Sequence, residues 1–448
     1  MDERFTRLFE GARLPRYTSY PTAPHFSAAV GREAHAEWLA SVPAEADASF
    51  YFHVPYCRDI CWYCGCTTHA LGRPERAVAY GELLRRELAT ASALLPHLRV
   101  SHLHWGGGTP TILGDDLFRV MDDVRRFASI EAGAEVAIEI DPRIFPAGMA
   151  RSLVAGGFTR ASLGVQSFQP RVQEAINRRQ SLDQTTAAVE ALRGAGIGAL
   201  NFDLLYGLPH QTVEGAEDTA RLVAALRPDR VAVFGYAHLP SRMKHQRLID
   251  GSALPDATGR LRQFNAIAEV FQASGYVAIG LDHFALPHDS MAVAAANGTL
   301  HRNFQGYTTD ESAYLLGFGC SSISAFPQGY VQAHADLVAW REAVAAGQLP
   351  TQRGLRLSAE DRARRAAIEA VMCRGEVDPD AVAAELGVGG DLLQPDEGRL
   401  AELAGLGIVE RRGRRLVVPE RHWPLLRLVA AAFDRYLGAG PASHAPAV

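Results

Sequence analysis

His53-Val-Pro-Tyr-Cys57-Arg-Asp-Ile-Cys61-Trp-Tyr-Cys64-Gly-Cys66 places four of the chain's six cysteines within ten residues. Clustering on this scale marks thiols that act together. A disulfide knot is one use for them, but such scaffolds belong to short, cysteine-dense secreted chains. This chain has 448 residues and opens Met-Asp-Glu-Arg-Phe, without the apolar run of an export signal. A structural zinc site is another use, yet it normally joins two ligand pairs, and no second Cys/His pair at such spacing answers the first. Soft thiolates held close together suit an iron–sulfur cluster better, because its irons are bound by cysteine sulfur.

Outward from this loop, from Ser49 to about Tyr276, short β-rich runs alternate with amphipathic stretches, the pattern of βα units on a parallel sheet. Strands are predicted at Ser49–Val54, Val100–Trp105, Glu135–Ile140, Arg160–Val165, Ala199–Leu205 and Arg230–Phe234. Helices are predicted around Arg76–Leu88, Leu117–Phe127, Ala147–Ala155, Leu182–Arg193 and Val213–Leu226. The unusual polar residues fall in phase with this scheme. The cysteines follow the first strand and Gly106-Gly-Gly-Thr-Pro110 the second; Glu139 and Asp141 end the third, Gln166 ends the fourth, Asp203 lies in the fifth, and Tyr236-Ala-His238 follow the sixth. A lone Gln or Asp at a strand end is commonly a local cap. Six in phase point to one site at the C-terminal face of a parallel barrel.

The length prior suggests about three domains, although an α/β barrel can take more than about 250 residues as one unit. Net charge is −5, with 45 basic and 50 acidic residues, so no global attraction to nucleic acid is indicated. Hydrophobic content is 48% with no uninterrupted apolar run long enough for a membrane span. Clustered free thiols need a reducing compartment, so a soluble, cytoplasmic protein is expected. Near Leu357–Val371 the composition turns to a charged helical segment, with Ser358 three residues before Asp361 as its N-cap. Gly407–Pro419 reads as a hairpin, and its Arg411, Arg412, Arg414 and Arg415 are set among helices of mixed charge. Cys320 and Cys373 stand alone and read as small buried apolar residues, while His53, His102, His104 and His238 read as packing or hydrogen-bonding groups near the site.

The C-x3-C-x2-C spacing of Cys57, Cys61 and Cys64 resembles the radical S-adenosylmethionine (SAM) superfamily, where three cysteines hold three irons of a 4Fe-4S cluster and leave the fourth to SAM. Further segments resemble the oxygen-independent coproporphyrinogen III oxidases over nearly the whole chain. They are Pro15-Arg-Tyr-Thr-Ser-Tyr-Pro-Thr-Ala23, Cys64-Gly-Cys66, His104-Trp-Gly-Gly-Gly-Thr-Pro110, Gly164-Val-Gln-Ser-Phe168, Asp203-Leu-Leu-Tyr-Gly-Leu-Pro209, Tyr236-Ala-His-Leu-Pro240 and His301-Arg-Asn-Phe-Gln-Gly-Tyr-Thr-Thr309.

The resemblance implies an α/β fold: an incomplete parallel (β/α)6 barrel with an N-terminal arm (1–45), a barrel with substrate-binding extension (46–355), a smaller, mainly helical, winged-helix-like C-terminal domain (356–437) and a disordered tail (438–448). It implies that Cys57, Cys61 and Cys64 hold the cluster while Cys66 stays free for a catalytic role. It further implies that Gly107, Gly108 and Thr109 approach the amino-acid part of SAM. Tyr51, Tyr63, Glu139, Gln166, Arg178, Asp203, Ala237 and Ile323 match SAM-contact positions, which in this family include a second SAM. Arg178 sits in Asn-Arg-Arg-Gln near a helix end, where an exposed arginine is the default. The implied substrate is coproporphyrinogen III, two of whose propionates become vinyl groups through a 5′-deoxyadenosyl radical to give protoporphyrinogen IX; Arg16 is the candidate to hold a carboxylate. A reductant protein such as flavodoxin or ferredoxin and a monomeric state complete the expectation. A related heme chaperone shares the barrel and three cysteines, but Gly65-Cys66 and the Pro15–Ala23 segment point to the oxidase.

Overall fold

The structure, a computed structural model, describes residues 13–438. The first twelve residues and residues 439–448, nearly all of the expected tail, lie outside the described residues.

Strand and helix alternate as β1 (Asp47–Val54), α1 (Glu75–Ser92), β2 (Leu98–Gly107), α2 (Asp115–Phe127), β3 (Ala128–Ile140), α3 (Ala147–Ala155), β4 (Arg160–Gln166), α4 (Leu182–Ala195), β5 (Ala199–Tyr206), α5 (Val213–Ala225) and β6 (Arg230–Gly235). Each of these strands pairs in parallel with the next. Local chemistry sets the helix boundaries. Ser181 and Gln184 form a reciprocal capping box on α4, which stops at Gly196 with φ +115°, a conformation glycine adopts without strain. In α2, Asp115 and Asp116 open the first turn and Arg125 and Arg126 close the last, matching the helix dipole at both ends.

Residues on the outer face of these strands are apolar. Phe50, Phe52, Leu103, Trp105, Ile138, Leu163 and Phe202 are at most 1% exposed, and Phe50 stacks on Phe127 of α2 at 5.9 Å. The inner face is polar instead: Ser49, His102, His104, Glu135, Glu139, Arg160, Ser162, Asn201, Asp203 and Arg230 line a cavity of about 180 Å³ inside the barrel. A barrel of this kind is usually filled by branched apolar side chains; here the interior is a chamber. Its N-terminal end is closed by charge. Arg160 meets Glu135 at 3.0 Å and Asp289 at 2.8 Å, and Arg230 meets the same two carboxylates at 3.1 and 2.5 Å.

The sheet extends beyond the six predicted strands. After α6 (Ala257–Ala273), β7 (Val277–Ile279) and β8 (His283–Ala285) continue it antiparallel from β6. At the other edge β9 (Tyr314–Phe318) joins β1 in parallel, and β10 (Ile323–Phe326), β11 (Gly329–Ala333) and β12 (Thr351–Arg356) follow antiparallel. The result is a twelve-stranded sheet of order β12-β11-β10-β9-β1-β2-β3-β4-β5-β6-β8-β7.

Beyond it, α7 (Ala359–Arg374) starts on the predicted cap: Ser358 and Asp361 bond reciprocally. A small sheet follows, with β13 (Glu376–Val377) and β14 (Glu410–Arg412) flanking β15 (Arg415–Val417), and then the short α8 (Leu426–Ala430). The four hairpin arginines each face a carboxylate: Arg411 with Glu397, Arg412 with Glu410, Arg414 with Asp380 and Arg415 with Glu376. The Pro15–Ala23 segment is tied across to this unit. Tyr17 donates to Asp434 at 3.0 Å, the Arg435 amide donates to the Tyr20 hydroxyl at 3.1 Å, and Tyr330 of β11 donates to the Tyr20 carbonyl at 3.0 Å.

Candidate active site

The cysteine loop leaves the C-terminal end of β1 and is held from both sides of the barrel. Trp62 donates its amide to Ile176 at 2.9 Å and Asn177 donates to the Ile60 carbonyl at 3.0 Å. From the segment after β6, His245 Nε2 donates to the Cys64 carbonyl at 2.7 Å, and Gln246 donates to the carbonyls of Tyr63 (3.0 Å) and Ala237 (3.2 Å).

Each of the three candidate ligands faces its own donors. Thr109 lies 3.7 Å from Cys57, Arg178 and Arg143 lie 3.5 and 3.7 Å from Cys61, and Thr68 lies 3.7 Å from Cys64. Donors of this kind favour the thiolate that iron requires. Burial pushes the Cys57 thiol up to about 12, whereas a hydrogen bond from Cys66 pulls Cys64 down. Cys66 is exposed, Cys57 and Cys64 are half-buried and Cys61 is buried, and none of the four is in a disulfide. Among the described residues no three His, Cys, Asp or Glu side chains converge on a single ion. Three thiols on one loop, each with its own donors, suit the separate irons of an iron–sulfur cluster.

The glycine loop at the end of β2 lies against the chain that leads into Cys57. Gly108 donates to the Val54 carbonyl and Thr109 to the Tyr56 carbonyl, both at 2.7 Å. A Cβ on Gly108 would lie 2.3 Å from the Tyr56 carbonyl oxygen, and one on Gly107, where φ is +109°, would lie 2.6 Å from the His53 ring. The resemblance implies close approach of SAM to these glycines; the contacts seen here are with the His53 ring, the Val54 carbonyl and the Tyr56 backbone, so the glycine and cysteine loops are packed as one unit.

Glu139 joins that unit to the barrel. Its carboxylate accepts from the Gly107 amide at 3.0 Å and from His104 Nε2 at 3.2 Å. Tyr51 stacks on His104 with ring centres 5.9 Å apart and donates to His53 Nδ1 at 2.9 Å, while His53 Nε2 donates to the Thr67 carbonyl at 3.0 Å. These histidines, with His102 bonded to Thr309 and His238 to Tyr236, are the hydrogen-bonding groups the sequence suggested.

Arg178 departs from its sequence default. It is 6% exposed and donates to the Gly164 carbonyl at 2.6 Å and toward Asp141 at 3.4 Å. Burial opposes its charge, but Tyr63, Asp141 and Cys61 more than offset this, so the guanidinium stays protonated. Its Nε is buried without a partner. Arg143, which sequence reasoning missed, grips Asp141 through two contacts of 2.9 and 2.6 Å. Its signal was local: Asp141 caps the short helix Pro142–Ile144 that carries it.

Gln166 ends β4 at a register shift with φ +67°, a backbone conformation that a non-glycine residue adopts at a cost and that turns its side chain toward Gly164. Asp203 accepts from Asn201 at 2.9 Å and Ser162 at 3.3 Å, and burial together with the Glu139 charge pushes its carboxyl up to about 6. Ala237 follows β6, and Ile323 begins β10, against Gly317 of β9, the residue paired with Tyr51. Arg16 stands apart from the cysteine loop: it is exposed and donates to the Gly235 carbonyl at 2.8 Å.

The radical SAM superfamily pattern matches residues 51–223. An oxygen-independent coproporphyrinogen III oxidase from Bradyrhizobium diazoefficiens is 49% identical over 438 residues, covering 97% of both chains. One from Paracoccus denitrificans is 44% identical over 431 residues, covering 96% of this chain and 95% of its own. The solved structure of the Escherichia coli coproporphyrinogen III oxidase, described as a radical SAM enzyme, is similar with a TM-score of 0.89 at 36% identity, covering 95% of this chain and 100% of that one.

Proposed function

The chain belongs to the family of oxygen-independent coproporphyrinogen III oxidases, radical SAM enzymes, and on that premise we propose how its residues divide the work of converting coproporphyrinogen III to protoporphyrinogen IX in porphyrin biosynthesis. When bound, the 4Fe-4S cluster and SAM supply one-electron cleavage and a carbon radical able to remove hydrogen from a propionate side chain. The residues have the tasks of binding, aiming and excluding water.

Cys57, Cys61 and Cys64 hold the cluster, with Thr109, Arg143, Arg178 and Thr68 stabilising their thiolates. The observation that carries the reading is the interlocked base of the site. Glu139, Gly107, Gly108 and Thr109 fix the backbone that presents SAM directly onto the backbone that presents the cluster. The buried, unpartnered Nε of Arg178 is a donor for the carboxylate of SAM. Gln166 and Asp203 offer acceptors for ribose hydroxyls, and Tyr51, Tyr63, Ala237 and Ile323 shape the walls. A second SAM belongs to the same reading. Cys66, exposed beside Cys64, takes part in turnover without holding iron.

The division of the chain near residue 356, a monomeric state, a cytoplasmic location and a flavodoxin or ferredoxin as reductant are parts of the proposal. Among the described residues no helix is long and apolar enough to cross a membrane. The test is anaerobic: reconstituted protein, coproporphyrinogen III, SAM and dithionite should yield protoporphyrinogen IX, carbon dioxide, methionine and 5′-deoxyadenosine. Stable heme binding with no vinyl product would overturn it.

A further inference from the structure

Residues 239–250, which follow β6, do two things at once. The inward ones grip the cysteine loop: Gln246, 1% exposed, and the half-buried His245 donate to the carbonyls of Tyr63 and Cys64 respectively. The outward ones, Arg242, Lys244, Arg247 and Leu248, are exposed. Leu248, at 60%, is the most exposed large apolar side chain among the described residues.

The cations of this patch are not answered. Arg247 donates to the Pro240 carbonyl at 3.1 Å, and among the described residues no carboxylate forms an ion pair with Arg242, Lys244 or Arg247. Asp250, the nearest carboxylate in sequence, is engaged by the Ser252 amide and hydroxyl at 2.9 and 2.7 Å. Arg242 meets further positive charge: burial, with the Arg242 charge added, holds Arg353 of β12 below its ordinary value. Exposed arginines elsewhere around the cysteine loop differ, since Arg58 meets Asp59 at 2.9 Å and Arg179 meets Glu174 at 2.5 Å. A lone exposed leucine is ordinary. One set among three unpaired cations has the makeup of an interface, an apolar centre with a charged rim.

The place of the patch selects the partner. None of the four residues lines the barrel chamber or the cavity of about 220 Å³ beneath the arm, so this is an outer face and not a pocket for a small ligand. His245 stands between Lys244 and the Cys64 backbone, 2.7 Å from its carbonyl. A protein seated here is therefore close to the cysteine loop without entering the chamber. One-electron cleavage of SAM requires that an electron reach the cluster from outside. The chain as a whole carries net charge −5, which repels an acidic carrier except where local positive charge draws it in.

We propose that Arg242, Lys244, Arg247 and Leu248 form the docking face for an acidic one-electron carrier protein, which delivers its electron through the His245–Cys64 side of the cysteine loop. The inference rests on the radical SAM reaction assigned above. In this step one electron leaves the reduced carrier and enters the oxidised cluster, and no bond forms or breaks.

Lys244 is the chain's single lysine, which makes contact there directly readable. Carbodiimide joins an amine to a carboxylate in contact with it. It should couple the cluster-containing enzyme to a flavodoxin of net negative charge, and peptide mapping should find the new amide at Lys244. Lys244→Gln or high salt should remove it. Stopped-flow reduction of the cluster by the reduced flavodoxin should be about tenfold slower at low salt in Lys244→Glu and in Arg247→Glu, with the gap closing as salt rises. Dithionite, too small to need docking, should reduce every variant at the wild-type rate, and KM for coproporphyrinogen III should not change. No amide at Lys244, or charge-reversed variants that flavodoxin reduces as fast as wild type or that dithionite slows on equally, would overturn the docking face. So would a raised KM for coproporphyrinogen III with unchanged reduction, which gives the patch to the tetrapyrrole, or a wild-type dimer that Lys244→Glu dissociates, which gives it to a second copy. A wild-type enzyme that flavodoxin reduces but that forms no protoporphyrinogen IX would overturn the reaction instead and leave the docking face standing.

Discussion

The two ends of the barrel treat charge in opposite ways. At the N-terminal end Arg160 and Arg230 each face both Glu135 and Asp289, so every charge has two partners. Burial disfavours the Glu135 carboxylate, but Arg230 and Arg160 hold it down at about 2. At the C-terminal end Arg178 keeps an unpartnered Nε, Arg302 an unpartnered Nη1, and Asp203 a carboxyl displaced upward. The difference separates charges that close the fold from charges that wait for a ligand. A buried ion pair contributes little net stability but is costly to break, whereas an unfinished one is tolerated where binding completes it.

The largest effect should come from removing the centre of the open end. Cys57→Ala, Cys61→Ala and Cys64→Ala should each lose the cluster and all SAM cleavage, read as iron and sulfide content after anaerobic reconstitution. Cys66→Ala should keep near-normal iron and lose product. Iron lost from the Cys66 variant would mean that the ligands are wrongly divided.

Next comes the glycine loop. Gly108→Ala places a methyl group 2.3 Å from the Tyr56 carbonyl oxygen, so backbone must move. A shift of about 1 Å at reacting atoms can lose on the order of 100-fold in rate. Single-turnover SAM cleavage at wild-type speed would show that the loop yields without disturbing the site.

The closed end should respond in stability. Glu135→Gln leaves two buried guanidiniums short of an anion and should cost about 3–5 kcal/mol, read from thermal or denaturant unfolding. SAM affinity of the folded protein should stay near wild type. A large loss of SAM affinity at unchanged stability would erase the contrast between the ends.

Asp203→Asn should do the reverse: about tenfold slower SAM turnover with stability held or improved. The carboxyl ionises near 3.8 in an unfolded chain and near 6 in the fold. The native state therefore binds this proton more tightly, and its contribution to stability is full below about 3.8 and lost as pH rises through about 6. Activity that needs the ionised acceptor should rise over the same interval. A pH profile of SAM cleavage unchanged by the substitution would remove Asp203 from the ribose site.

The six central strands were legible because their outer faces alternate strictly: Phe50 and Phe52, Leu103 and Trp105, Val136 and Ile138 each alternate with inward polar residues. The edge strands were not. His283–Ala285 and Val277–Ile279 span three residues each, too few for a period to emerge, and their pairing is fixed by β6. The cysteine loop stood out by its spacing, and the part each thiol is proposed to play came with the family resemblance. Arg178 stood out only by its place among the motifs, since nothing local foretells that a residue past a helix end will be buried against Cys61. Gln246 gave no signal, because it reaches the Tyr63 carbonyl from a part of the chain far away in sequence.

The seventh parallel strand has a consequence for how the chain is made. β1 carries Tyr51 and leads into the cysteine loop, yet one of its two neighbours, Tyr314–Phe318, is encoded more than half the chain later. On the ribosome β1 must wait with one edge unpaired, an invitation to non-native pairing. Residues 51–223 contain Cys57, Cys61 and Cys64, proposed to hold the cluster, and most of the positions proposed to meet SAM. A fragment cut there would still lack the strand that completes its own first one. The edge of β1 that this late strand covers is therefore completed only once residue 318 has emerged.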